Sequence, residues 1–228
     1  MKKRLVSILL VLVMVLGMFP TMAAAADAPT EITSAEEFAT MPASGDYILK
    51  ADIIITAPYG NNFSGTFDGD GHTVTLDIKG TANYVGMFKN LTGAAGKTVT
   101  VKNVILAGKI DAASRGNVGG IAGFANPYSG PIKIENCKNT ATIIAKEKVG
   151  GILGSCQSDA NEVSVIGCGN TGTITASGYY AGGIVGYNDA ATHLTISSAT
   201  NGSDSNAASV GSLKMRGETG ILGSGVSL

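Results

Sequence analysis

Few side chains in this 228-residue chain combine the types and spacing that chemistry requires. The segment DGDGH at 68–72 sets Asp68, Asp70 and His72 at alternate positions, a pattern that could hold a metal ion or, through the two carboxylates, calcium. The third carboxylate and the distant Glu of a calcium loop are missing. Gly69 and Gly71 make the stretch read more simply as a turn between Phe67 and Val74. Glycoside chemistry needs two carboxylates at a fixed separation. Asp111, Glu135, Glu147, Asp159, Glu162 and Asp189 fall at different offsets, and only Asp159 and Asp189 approach equivalence, 30 residues apart. His193 has no Ser or Cys at a motif spacing, and HExxH, GxSxG and P-loop patterns are missing. The expectation is no catalytic residue, no metal ligand and no cofactor. What remains is recognition. Tyr128, Tyr179, Tyr180, Tyr187 and Asn188 lie in or beside segments rich in Asn and Ser, such as FANPYSGP (124–131) and YNDAATH (187–193). Flat aromatics among amides stack on sugars or fill a protein groove. Interior packing explains Phe124 and Tyr187 equally well.

Such residues need a scaffold, and the chain writes one three times. VGGIAGF, VGGILGS and AGGIVGY begin at Val118, Val149 and Ala181, 31 to 32 residues apart. A second marker, IKIENCKNTATI at Ile132, returns as VSVIGCGNTGTI at Val163, with looser copies at Val99 and Leu194. Periods of this length mark stacked repeat architectures. IKIENC and VSVIGC alternate with period two, a strand signal, and no repeat carries a helical pattern of ten residues. Stacked in register at ~4.8 Å, Ile121, Ile152 and Ile184 would form one interior column and Ile110, Ile143 and Ile174 another. The glycine pairs would permit positive φ or tight backbone approach at a corner. Asn139, Asn170 and Asn201, each 31 apart, read as a ladder of turn residues in the left-handed conformation. Cys137 and Cys168 share a repeat position. They read as small apolar residues in an interior column, with a disulfide or, less simply, a metal site as alternatives.

The pattern VGGI.G…I.NC.NT.TI.A resembles the GLUG repeat of bacterial exported and surface proteins, whose glycine-rich core GGIAG, GGILG and GGIVG match over about residues 85–200. FSGTFDGDGHTVTLDI (63–78) is similar to the segment that commonly precedes such repeats. The resemblance implies an all-β fold, a right-handed parallel β-helix of about four to five coils. It also implies an adhesin-like role, although some immunoglobulin A1 peptidases carry the repeat beside a separate protease domain. Gly167 departs from the pattern where Asn136 follows it, and the copy after 194 lacks a clean GGI-x-G until TGILG at 219.

The ends complete the reading. Lys2, Lys3 and Arg4, an apolar run from Leu5 to Phe19 and the small residues up to Ala26 form a signal peptide over 1–26. Its removal takes the formal net charge from −1 to −4, which leaves no overall electrostatic footprint for nucleic acid. No membrane span is expected after cleavage. Residues 27–62 read as an N-terminal cap with a first strand in DYILKADIII, and 63–228 as the repeats. Ser34 and Glu37 fit a capping box before Phe38 and Met41, with Pro42 as a stop, so a short helix should cover the first coil. No C-terminal cap is legible, and a small complete solenoid and the start of a longer surface protein both fit. The expectation is a non-catalytic extracellular or cell-surface module that binds a glycan or an extracellular protein. A carbohydrate-active β-helix enzyme and a structural stalk are the alternatives.

Overall fold

The structure, a computed structural model, describes residues 28–157, 161–189, 193–202, 208–215 and 226–227. The leader expected over 1–26, Asp159 and TGILG at 219 lie outside them. The chain forms a parallel β-solenoid. Each coil lays strands on three faces, and the five rungs of the third face span about four turns.

In one repeat, Ile132–Glu135 lies on the first face, Lys138–Asn139 and Thr142–Gly150 on the second, and Leu153–Cys156 on the third. Register is continuous along the axis. On the first face Tyr47, Phe67, Val101, Ile134, Val165 and Ile196 stack in one interior column. On the second, Ile78, Ile110, Ile143 and Ile174 do the same. All ten are 4% exposed or less. A repeat alone would leave such residues in water. Stacking buries them, at roughly 1.5–3 kcal/mol for each large aliphatic side chain. The expected column of Ile121, Ile152 and Ile184 is also present, linked by Ile121 N–H to Ile152 O at 2.9 Å and Ile152 N–H to Ile184 O at 3.0 Å.

The capping helix is where the sequence places it. α1 spans Ala35–Thr40; the Ser34 hydroxyl accepts from Glu37 N–H at 3.2 Å. The Glu37 carboxylate reaches back to Thr33 N–H at 2.7 Å. Those bonds hold the Glu37 carboxyl below its usual range. Phe38, 1% exposed, drops from α1 onto the rings of Tyr59, Phe67 and Phe88 at 5.5–5.8 Å, all edge-on. The segment expected as one first strand is two, Asp46–Leu49 on the first face and Ile53–Ile55 on the second, and Thr30–Ile32 adds an earlier rung beside the former. At the other end Ala208–Met215 runs antiparallel along Leu194–Asn201, a reversal that the repeat pattern does not foresee.

The asparagines correct the sequence reading in part. Asn139, Asn170 and Asn201 do form a ladder, with Asn139 Nδ2 donating to Asn170 Oδ1 at 2.7 Å and Asn170 Nδ2 to Asn201 Oδ1 at 2.8 Å. They are buried strand residues, not left-handed turns, and continue the apolar column Ile53, Val74, Leu106. The left-handed corner between the first and second faces belongs to Asp70, Asn103, Asn136, Gly167 and Ser198, with φ between 50° and 63°. Gly167 thus replaces Asn136 without loss, since both types tolerate that conformation. The glycine pairs answer to space, not to φ. A Cβ on Gly119 would sit 2.3 Å from Ala122 O and 2.4 Å from Gly154 N. Cys137 and Cys168 stack in the interior as free thiols, and Cys156 is free and buried too.

Candidate functional site

Two outward ladders meet at the corner between the second and third faces. The first consists of Tyr84, Asn117, Lys148 and Tyr180, each the residue before a corner valine or alanine that pairs from coil to coil. All four are left-handed, with φ of 64°, 59°, 53° and 64°. That conformation turns the chain onto the third face. The second ladder runs along the third face as Asn62, Asn90, Phe124, Ser155 and Tyr187.

The ladders interlock diagonally, each corner residue meeting the third-face residue of the next coil. Tyr84 packs on Phe124 with ring centroids 5.0 Å apart. The Ser155 hydroxyl donates to Asn117 Oδ1 at 2.7 Å. Lys148 Nζ lies 4.2 Å from the Tyr187 ring centroid. The pairings are aromatic on aromatic, hydroxyl on amide and cation on π face, so each contact is chemically matched. At the far coil Tyr180 adds an edge-on contact with Tyr187 at 4.8 Å, and Tyr179 lies 6.3 Å from Tyr180.

The structure therefore brings three of the five sequence candidates together. Tyr179 is 76% exposed and Tyr180 39%, while Tyr187 is half-buried beneath them. Tyr128 is exposed but sits elsewhere, in the turn that leads from the third face back to the first. Its N–H donates to Asn126 Oδ1 at 3.1 Å, and its carbonyl accepts from Asn161 Nδ2 at 3.2 Å. Asn188 is a correction. It points inward at 0% exposure, and its Oδ1 accepts from Cys156 Sγ at 3.1 Å, so it cannot touch a ligand on this surface. The strand Val185–Asn188 continues through it, and alternation sends Tyr187 out and Asn188 in.

Lys148 and Tyr84 belong to the site, yet the sequence reading passes over them. Their signal is positional: each occupies the place directly before the glycine-motif valine, as Asn117 does in NVGG and Tyr180 in YAGG. Their differing chemistries hide the shared offset.

The DGDGH segment lies at a different corner and is fully engaged. Asp70 pairs with Lys50 at 2.8 Å, Asp68 with Lys102 at 3.1 Å and His72 Nδ1 with Asp52 at 3.2 Å. Partial burial works against the Asp68 charge, but Asp70 N–H, the Asn103 amide and Lys102 outweigh it and hold the carboxyl below its usual range. Among the described residues no group of three His, Cys, Asp or Glu is placed to hold a metal, and no helix is long and apolar enough to cross a membrane. Comparison of the chain with protein-family models, with curated proteins and with solved structures gives no match.

Proposed function

We propose that the protein is a non-catalytic, exported interaction module of adhesin type. Its ligand, a glycan or an extracellular protein, docks on the corner built by Tyr179, Tyr180, Tyr187 and Lys148. The observation that carries this reading is where the aromatic surface goes. Six rings, those of Phe38, Tyr47, Tyr59, Phe63, Phe67 and Phe88, are 4% exposed or less and fill the first coils. Tyr84, Tyr179 and Tyr180 instead face solvent along one corner. Leaving a large ring in water forgoes the burial that the interior rings enjoy, and clustered exposed aromatics are typical anchors of binding surfaces. The solenoid holds them rigidly, so little order has to be gained on binding. The likeness of the GGI-x-G repeats to GLUG repeats of surface proteins, and the leader-like residues 1–26, support the exported setting.

The test uses replacements that the ladders themselves already carry. Tyr180→Asn matches the left-handed Asn117, Tyr187→Ser matches Ser155, and Tyr179→Ala removes the most exposed ring. The wild-type protein should bind a subset of immobilised glycans or matrix proteins. The triple variant removes three rings and should lose at least about tenfold in affinity, the least expected when one of them is an anchor, with an unchanged circular dichroism spectrum. Equal binding by the two proteins would refute the site.

A further inference from the structure

Charge is segregated around the solenoid. On the first face and its corner with the second, three cations are matched to acids, Lys50 with Asp70, Lys102 with Asp68, and Lys133 with Glu135, and the exposed Lys138 is the one without an ion pair among the described residues there. The corner between the second and third faces differs. Lys79, Lys89, Arg115, Lys146 and Lys148 gather there against two carboxylates, Asp111 and Glu147. Among the described residues Lys89, Arg115 and Lys146 have no ion pair, and Arg115 Nε is buried with no hydrogen-bond partner. Lys79 sits across the ladder from Asp111, whose carboxylate is already held by Lys109 at 2.9 Å. Lys148 is engaged with the Tyr187 ring and not with a carboxylate.

The same corner opens into a cleft of about 210 Å³ at its N-terminal end. Thr56, Lys79, Thr81, Asn83, Tyr84 and Lys89 are among the residues that line it, and among the described residues its charges are the two lysines. It offers two ammonium groups, hydroxyls, an amide and one ring face. Tyr84 and Tyr180 occupy the same ladder three rungs apart, about 14 Å at ~4.8 Å per rung, with Arg115, Lys146 and Lys148 between them. A row of cations and rings parallel to the axis fits an extended ligand with repeated negative charge, and hydroxyls beside a ring fit a sugar.

We propose that this corner binds a polyanionic glycan, a polysaccharide bearing carboxylates, laid along the solenoid axis with the Lys79–Lys89 cleft as one subsite. This rests on the reading of the tyrosine corner as a ligand face, and it names the ligand class. The remote cations supply charge attraction, and the tyrosines supply stacking. Cations without carboxylate partners at one corner otherwise only repel one another.

The test compares polygalacturonate with its neutral methyl ester, by affinity gel electrophoresis and titration calorimetry. Three proteins are used: wild type, the Lys79→Ser/Lys89→Ser/Arg115→Ser variant, and the tyrosine variant described above. Wild type should bind the acid form, and binding should weaken as salt rises from 50 to 500 mM because exposed charges are screened. The cation variant should lose about tenfold in affinity for the acid, roughly threefold or less per solvent-screened charge, and bind the ester as wild type does. Equal wild-type affinity for acid and ester would overturn the charge assignment, and a cation variant that still binds the acid normally would do the same. In either case loss of binding in the tyrosine variant would leave the corner itself standing. No wild-type binding to either polymer would overturn the glycan assignment. Duplex DNA or phosphatidylserine vesicles bound as tightly as polygalacturonate would replace it with generic anion attraction.

Discussion

Replacing Asn170 by Leu isolates the contribution of the interior amide ladder. Asn170 is 3% exposed, accepts from Asn139 Nδ2 at 2.7 Å and donates to Asn201 Oδ1 at 2.8 Å. Leucine is the residue that the same column carries at Leu106, so the shape is tolerated. Asn139 Nδ2 would keep only its longer bond to Ala141 O at 3.3 Å. Losing the two buried ladder bonds costs about 1–3 kcal/mol where a buried amide group is left with a poorer partner and about 1 kcal/mol for the other bond. The added methyl groups return about 1 kcal/mol of transfer free energy. The net expectation is a destabilisation of about 2 kcal/mol, read as a lower midpoint in urea with an unchanged slope. Asn139→Leu should cost a similar amount. The double variant should cost about 1 kcal/mol less than the two singles summed, because the 2.7 Å bond between them is then counted once. Strict additivity, or single costs below about 0.5 kcal/mol, would show that the ladder is not an energetic unit and refute the argument.

Other outcomes follow from the same structure. Gly119→Ala should unfold the protein or cost more than about 3 kcal/mol, since the new Cβ meets backbone at 2.3 Å, whereas Gly60→Ala, with open space around it, should change the melting temperature little. Phe38→Ala should cost about 3–5 kcal/mol in chemical denaturation, because Phe38 is the plug of three aromatic rings. Burial, with a smaller contribution from Asp189, pushes the Cys156 thiol up to about 12, and burial also raises Cys137. The thiolate is the reactive form. The bond with Cys137 instead lowers the Cys168 thiol, but Cys168 is 1% exposed; a thiol reagent at pH 8 should find no fast-reacting cysteine in the native protein and three in denaturant, and rapid native labelling would contradict the burial.

Much of this fold is legible in the sequence because its sterics recur in every coil. The VGG corner repeats since neighbouring backbone crowds the first glycine, at Gly119 and Gly150, and the asparagine ladder crowds the second, at Gly120, Gly151 and Gly183, so the letters must repeat with it. α1 is legible because capping is local: Ser34 and Glu37 satisfy the first turn wherever the helix docks. The ladders are harder to read. Asn136 and Asn139 stand three residues apart in one repeat, and residue type alone does not say which one turns left-handed. Gly167 in the register of Asn136 is the pointer, and it looks like a lapse of the pattern until φ is known. Asn188 reads as surface because its segment looks loop-like; the strand carries on and buries it. Lys148 escapes notice since its ladder holds Tyr, Asn, Lys and Tyr, a set united only by backbone conformation. The antiparallel return of Ala208–Met215 breaks the repeat altogether, so no periodicity could announce it.

The most direct test of the account is a glycan array probed with the wild-type protein and with the Tyr179→Ala/Tyr180→Asn/Tyr187→Ser variant, both shown to share one circular dichroism spectrum. The account predicts that wild type binds a defined set of glycans, enriched in acidic ones, and that the variant loses them. Retention of the same set by the variant would contradict the assignment of function to this corner of the solenoid.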